Sequence, residues 1–189
     1  PRPDVPMLVF VHGTWEGRIV ARLLAEGMRA DSVNVALSLN STCTMDEFAK
    51  AYSTADNRGE LVGSFGVRFT AGAGSAAEAT RLPNGVVVRT NPNEELTDAC
   101  LTEAQSDRGG AVPLLPLLWQ GDLPGLPAEG AMYVRDLGPV DNARLVARYP
   151  RRRMVVLLRR PDDGRAVILP YQEAMELLWR PEETETGGG

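Results

Sequence analysis

The stretch Met7-Leu8-Val9-Phe10-Val11, apolar without interruption, constrains the fold more than any other feature of the sequence. A strand with one wet face alternates apolar and polar residues. An unbroken run fits a strand covered on both faces, as in parallel or mixed sheets flanked by helices. The residues that follow agree. After the turn His12-Gly13-Thr14, a helix fits Trp15 to Glu26, with Ile19, Val20, Leu23 and Leu24 on one stripe. Gly27 is placed to cap it.

Further along, Asp31 to Ser41 reads as a loop, or as a short strand around Val33 to Leu39. Thr44 and Glu47 have capping-box spacing and open a helix to Tyr52. Leu61 to Thr70 reads as extended, with Gly63 and Gly66 as bulge or bend points. Ala71 to Ala79 reads as a loop or weak helix, Gly85 to Thr90 as a strand, and Glu94 to Asp107 as a helix ended by Gly109-Gly110. A strand at Ala131 to Leu137 precedes a helix capped by Asp141 and stopped near Tyr149-Pro150. Met154 to Arg159 and Arg165 to Leu169 flank Pro161-Asp162-Asp163-Gly164, a hairpin signal, and Tyr171 to Trp179 closes with a short helix. Strands interleaved with helices indicate an α/β fold: a mixed sheet with helices packed on it, then a C-terminal β-hairpin and short helix.

With 189 residues, the chain fits one domain over 1–181, leaving the polar, Gly-rich 182–189 as a disordered tail or linker. A net charge of −5 argues against nucleic acid, because a surface that follows phosphates needs a basic excess. No apolar run approaches bilayer length. The longest, Val112 to Trp119, is short and broken by Pro113 and Pro116.

The motifs for common chemistries are incomplete. Phe10-Val11-His12-Gly13-Thr14-Trp15 invites comparison with a lipase oxyanion loop, which also needs a G-x-S-x-G elbow and a late histidine. Val62-Gly63-Ser64-Phe65-Gly66 lacks the first glycine, and His12, the sole histidine, precedes every candidate serine. Gly72-Ala73-Gly74-Ser75-Ala76-Ala77 matches a dinucleotide pattern, but any helix behind it ends by Pro83, too soon for a crossover. One histidine and two distant cysteines give no zinc-ligand spacing. No catalytic, cofactor-binding or metal-binding residue is therefore expected, and no cofactor.

Cys43 and Cys100 admit two readings: buried small hydrophobes in a reducing compartment, or a disulfide in an oxidising one. Tyr133, Arg135 and Asp136 form the best polar cluster; a structural ion pair at a strand end outweighs a ligand contact there. Leu118 and Trp119, in a segment too proline-broken for a helix and too apolar for a free loop, are candidates for contact with a partner. The arginines at Arg151 to Arg153 read as a solvated turn, or as weak attraction to an anionic lipid surface.

In order and spacing, several segments resemble the C-terminal soluble domain of bacterial polytopic membrane glycosyltransferases related to the dolichyl-phosphate-mannose protein mannosyltransferases and the aminoarabinose transferases. These are Leu8 to Val11 with Trp15 and Ala21-Arg22-Leu23; Cys43 before a helix; Leu96-Thr97-Asp98-Ala99-Cys100; Asp107-Arg108-Gly109-Gly110; Pro116-Leu117-Leu118; Tyr133 to Leu137; Tyr149-Pro150; and Val155 to Arg159. The resemblance implies an extracytoplasmic module on the periplasmic or extracellular face of the cytoplasmic membrane. It implies a polyprenyl-phosphate sugar donor, with catalytic acids in membrane loops that this sequence does not contain. The partner is then a parent transmembrane domain or a separate membrane-embedded protein. An accessory subunit of another membrane complex is the alternative. In that setting a Cys43–Cys100 disulfide is expected.

Overall fold

The computed structural model describes residues 6–70, 76–82, 85–107, 130–160 and 163–179. In its first half, β1 (Met7–Val11) leads into four helices: α1 (Trp15–Ala25), α2 (Ala30–Leu39), α3 (Thr42–Tyr52) and α4 (Arg58–Ser64). A two-stranded antiparallel sheet follows, β2 (Glu78–Arg81) with β3 (Val87–Thr90), and then α5 (Asp98–Ser106). The remainder is β4 (Ala131–Arg135), α6 (Pro139–Arg148), β5 (Arg153–Arg159), β6 (Ala166–Pro170) and α7 (Tyr171–Trp179).

The main sheet has the order β4-β1-β5-β6. β1 is parallel to both neighbours, Leu8 lying level with Met132 and Met154, and β6 returns antiparallel to β5. This is the mixed α/β sheet expected, and β1 holds the central place its unbroken apolar run requires. Leu8 and Phe10 pack on one face with Met132, Val156, Leu158 and the α7 residues Ala174 and Leu178. Val9, Val11 and Val155, of opposite parity, are buried too. A second core lies among the helices, where Trp15, Ile19 and Leu23 of α1 meet Val33, Ala36, Met45 and Phe48. Among the described residues no helix is long and apolar enough to cross a membrane.

Two segments differ from their sequence reading. Residues 30–39 are neither loop nor strand but α2. Val33 and Val35 favour a strand locally, yet Val33 and Ala36 sit on one helical face and are wholly buried against the helical core, and tertiary packing overrides propensity. Leu61 to Thr70 begins inside α4 rather than in extended chain. Gly59 and Gly63 lower its helix propensity, but Leu61, Val62 and Phe65 pack against the same core. Gly66, at φ 61°, follows the helix end and donates to Gly63 O, so it marks a bend rather than a bulge. Residues 78 and 79, assigned to a loop or weak helix, open β2.

Helix starts also shift. Ser41, not Thr44, caps α3, its Oγ accepting from the Thr44 N–H. Thr97 caps α5, which begins four residues after Glu94. Gly138 and Pro139 open α6, which leaves Asp141 in the first turn instead of at the cap. The hairpin and α7 lie where the sequence places them, though Pro161 and Asp162 at the tip are outside the described residues, as are Gly109-Gly110 and the 182–189 tail.

Candidate functional site

Strands β1 and β4 end side by side, and the first residue beyond each is titratable: His12 and Asp136. Both extend the sheet ladder, His12 N–H donating to Leu157 O and Asp136 N–H to Val11 O. Their side chains meet in the interior, His12 Nδ1 lying 2.6 Å from Asp136 Oδ2. On the other side of the ring, Nε2 lies 2.8 Å from Ser106 O. A carbonyl oxygen only accepts, so Nε2 carries a hydrogen, while Nδ1 and the carboxyl share a proton. Neither ring nitrogen keeps a free lone pair. His12 in this arrangement is a structural link, with nothing to offer as a general base.

Asp136 is almost wholly buried, and burial alone would push its carboxyl up. The hydrogen bond and charge of His12 outweigh burial, helped by Asn142 Nδ2 at 2.7 Å and Gly138 N–H at 3.0 Å, and hold it below the usual carboxylate range.

From Ser106 the network runs through four helices, α5, α1, α3 and α6. Ser106 Oγ accepts from Arg18 Nη2 at 2.7 Å, and Arg18 also grips Glu103 Oε2 through Nε and Nη2. Its Nη1 donates to Gly13 O, fixing the turn after β1. Glu103 Oε1 accepts from Lys50 Nζ at 2.7 Å, and Lys50 reaches back one helical turn to Asp46 Oδ2 at 2.6 Å. Asp46 Oδ1 pairs with Arg22, which donates to Asp141 Oδ2 and to Leu137 O. Asp141 and Asn142 are neighbours on α6, so the circuit closes on the Asp136 end. Three cations face three carboxylates; within the interior the two arginines balance Asp46 and Glu103, while Lys50 and Asp141 are partly exposed.

Burial opposes ionisation of Glu103, but the Arg18 and Lys50 charges overcome it and hold its carboxyl low. For Asp46, burial and the Glu103 charge prevail over Lys50 and Arg22, and its carboxyl is pushed up. Burial works against the Lys50 charge, yet Glu103 and Asp46 raise its ammonium above the ordinary value.

Beside this circuit, past the end of β4, lies a cavity of about 530 Å³. The end of α3, one face of α5, the start of α6 and Trp179 of α7 enclose it. Gly138 adopts φ 96° and ψ 164°, a conformation that is essentially glycine-only. A Cβ there would meet the Trp179 ring at 3.2 Å. The glycine therefore lets the indole lie against the chain, with the Arg18 guanidinium 5.1 Å from its ring centre.

Cys43 and Cys100 are joined in a disulfide that ties α3 to α5 one turn from Asp46 and Glu103. Glu47 brings a carboxylate near both sulfurs, but a metal requires thiolates, and these sulfurs are bonded to each other. Ser64 is exposed at the end of α4, its hydroxyl donating to Leu61 O. Ala76 and Ala77 lead directly into β2, so no helix stands behind the glycine pattern; residues 71–75 lie outside the described residues.

The polar cluster at the end of β4 separates. Asp136 pairs with His12, not Arg135, whereas Tyr133 and Arg135 are half-buried on the strand face opposite Met132. Leu118 and Trp119 lie outside the described residues. Arg152 is no free turn residue: Nη1 donates to Met7 O and Gly130 O, and its guanidinium lies near the Tyr149 ring, while Arg151 and Arg153 are exposed.

Sequence reasoning missed the charged circuit, although a signal for it exists. Arg18 and Arg22 fall within the apolar stripe of Trp15, Ile19 and Leu23, where helical spacing buries whatever it finds. Asp46 and Glu103 follow the buried cysteines by one turn in the same way. Compared with family models, curated proteins and solved structures, this chain finds no match.

Proposed function

We propose that this chain is a noncatalytic extracytoplasmic module of the kind that accompanies membrane glycosyltransferases using lipid-linked sugars. It works by docking on a membrane-embedded partner or on a parent transmembrane domain, on the periplasmic or extracellular face. The observation that carries this reading is the Cys43–Cys100 disulfide, since such bonds form and persist in oxidising compartments. The sole histidine supports the noncatalytic part, because both its nitrogens are committed to structural hydrogen bonds. The apolar stretch Val112 to Trp119 is the docking segment, with Trp119 suited to the boundary between a wet domain and lipid headgroups.

A photo-crosslinking amino acid at position 119, activated in intact cells producing the native protein, tests the docking. Adducts to a membrane-embedded glycosyltransferase, or within one polypeptide to its own membrane segments, are expected. Adducts confined to soluble proteins, or labelling no greater than at exposed Arg151, would contradict it.

A further inference from the structure

The cavity past β4 has the volume of a small-molecule site, and its unused hydrogen-bonding capacity defines what fits. Each nitrogen of Arg22 already donates once, to Asp46, Asp141 or Leu137 O, and both Glu103 carboxylate oxygens accept from Arg18 or Lys50. What remains is of two kinds. The donors include the exposed Arg144 guanidinium, which has no carboxylate partner among the described residues, one ammonium hydrogen of half-exposed Lys50, and the buried Trp179 Nε1–H, which has no partner among the described residues. The acceptors are the second oxygen of Asp141 and the lone pairs of the Ser53, Thr54 and Thr102 hydroxyls, whose hydrogens already go to backbone carbonyls.

The wall itself is mostly apolar, with Leu137, Pro139, Val140 and Trp179, so a ligand that fits covers apolar surface as well as meeting these polar groups. A polyanion would be repelled by Asp141 and Glu103 and would find only one uncommitted guanidinium. The complement is a molecule with several hydroxyl groups to donate and a single negative group for Arg144. We infer that this cavity binds an acidic saccharide, a polyhydroxylated ring bearing one anionic group, with Arg144 as the anion ligand and Asp141 and the three hydroxyls as acceptors. Leu137 and Val140 supply the apolar wall. Val140 is 84% exposed at the helix start, and a bound ring would cover it.

Titration of the isotope-labelled protein with glucuronate, glucose and acetate, followed by amide NMR, tests the assignment. Glucuronate is expected to shift the amides of Thr102, Gly138, Val140 and Asp141 saturably, with glucose and acetate each about tenfold weaker or more, the loss of one charge-assisted contact. Arg144→Ala, at an exposed position, should keep the spectrum elsewhere and reduce glucuronate to the level of glucose. Equal binding of glucose would remove the anionic requirement, and equal binding of acetate the saccharide. An absence of shifts at the cavity with all three probes would overturn the proposal outright. Saccharide binding and membrane docking are read by separate experiments, so either can fail alone.

Discussion

His12 joins the end of one strand to the last carbonyl of α5 and a buried carboxylate, and removing either partner strands the other in the interior. His12→Ala and Asp136→Asn are each expected to cost about 3–5 kcal/mol, the loss seen when one member of a buried pair is deleted; urea denaturation measures it. The histidine that looks catalytic next to a glycine turn is thus a stability residue. Glu103 and Asp46 separate the same way. Glu103 ties Arg18 to Lys50 and its carboxyl is held low, whereas burial and the Glu103 charge push the Asp46 carboxyl up. Glu103→Gln should therefore destabilise more than Asp46→Asn. The pH dependence follows from the signs. Asp136 and Glu103 have lowered carboxyl pKa values when folded, so the unfolded chain binds more protons in acid. Their contribution is complete above the ordinary carboxylate value of about 4 and is lost as pH falls through the folded values. Asp46 acts oppositely: its share is present below the ordinary value and fades as pH rises through its raised one. Denaturation curves below pH about 4 should lose stability less steeply for Asp136→Asn than for the wild type. None of this circuit follows from composition, because pairing depends on which helices meet. Only the burial of Arg18 and Arg22 is written in local spacing.

At the scale of elements, legibility tracked how far local preference agreed with packing. β1, the β5–β6 hairpin and α7 could be read because an apolar run, a Pro-Asp-Asp-Gly turn and a compact amphipathic stretch each point one way. For α2 and α4, valines and glycines oppose the helix, and contacts from distant sequence decide. The start of α6 was displaced because Gly138 is fixed by a neighbour that sequence does not show, the Trp179 ring. Gly138→Ala is expected to cost about 1–3 kcal/mol from backbone strain alone. The close approach of its Cβ to the indole adds to that. A lowered denaturation midpoint with an altered Trp179 environment by fluorescence would show both effects. An unchanged midpoint would contradict the strain as well as the clash.

For the molecule as a whole, the disulfide spans 57 residues and joins the helices that carry Asp46, Lys50 and Glu103. Closing a loop of that length is worth about 4 kcal/mol in the chain-entropy model, against a typical domain stability of about 5–15 kcal/mol. Urea denaturation with and without reductant should show a loss of that order, and a Cys43→Ser, Cys100→Ser double variant should behave like the reduced protein. The same bond carries the assignment to an oxidising compartment, on which the proposed role depends. Its state in the cell is therefore the decisive observation. Cells producing the native protein are treated with an alkylating agent at harvest, and unreduced peptides are then analysed by mass spectrometry. One cross-linked peptide pair containing Cys43 and Cys100 is expected, with neither thiol alkylated; two alkylated cysteines in freshly harvested, folded protein would contradict the proposed role.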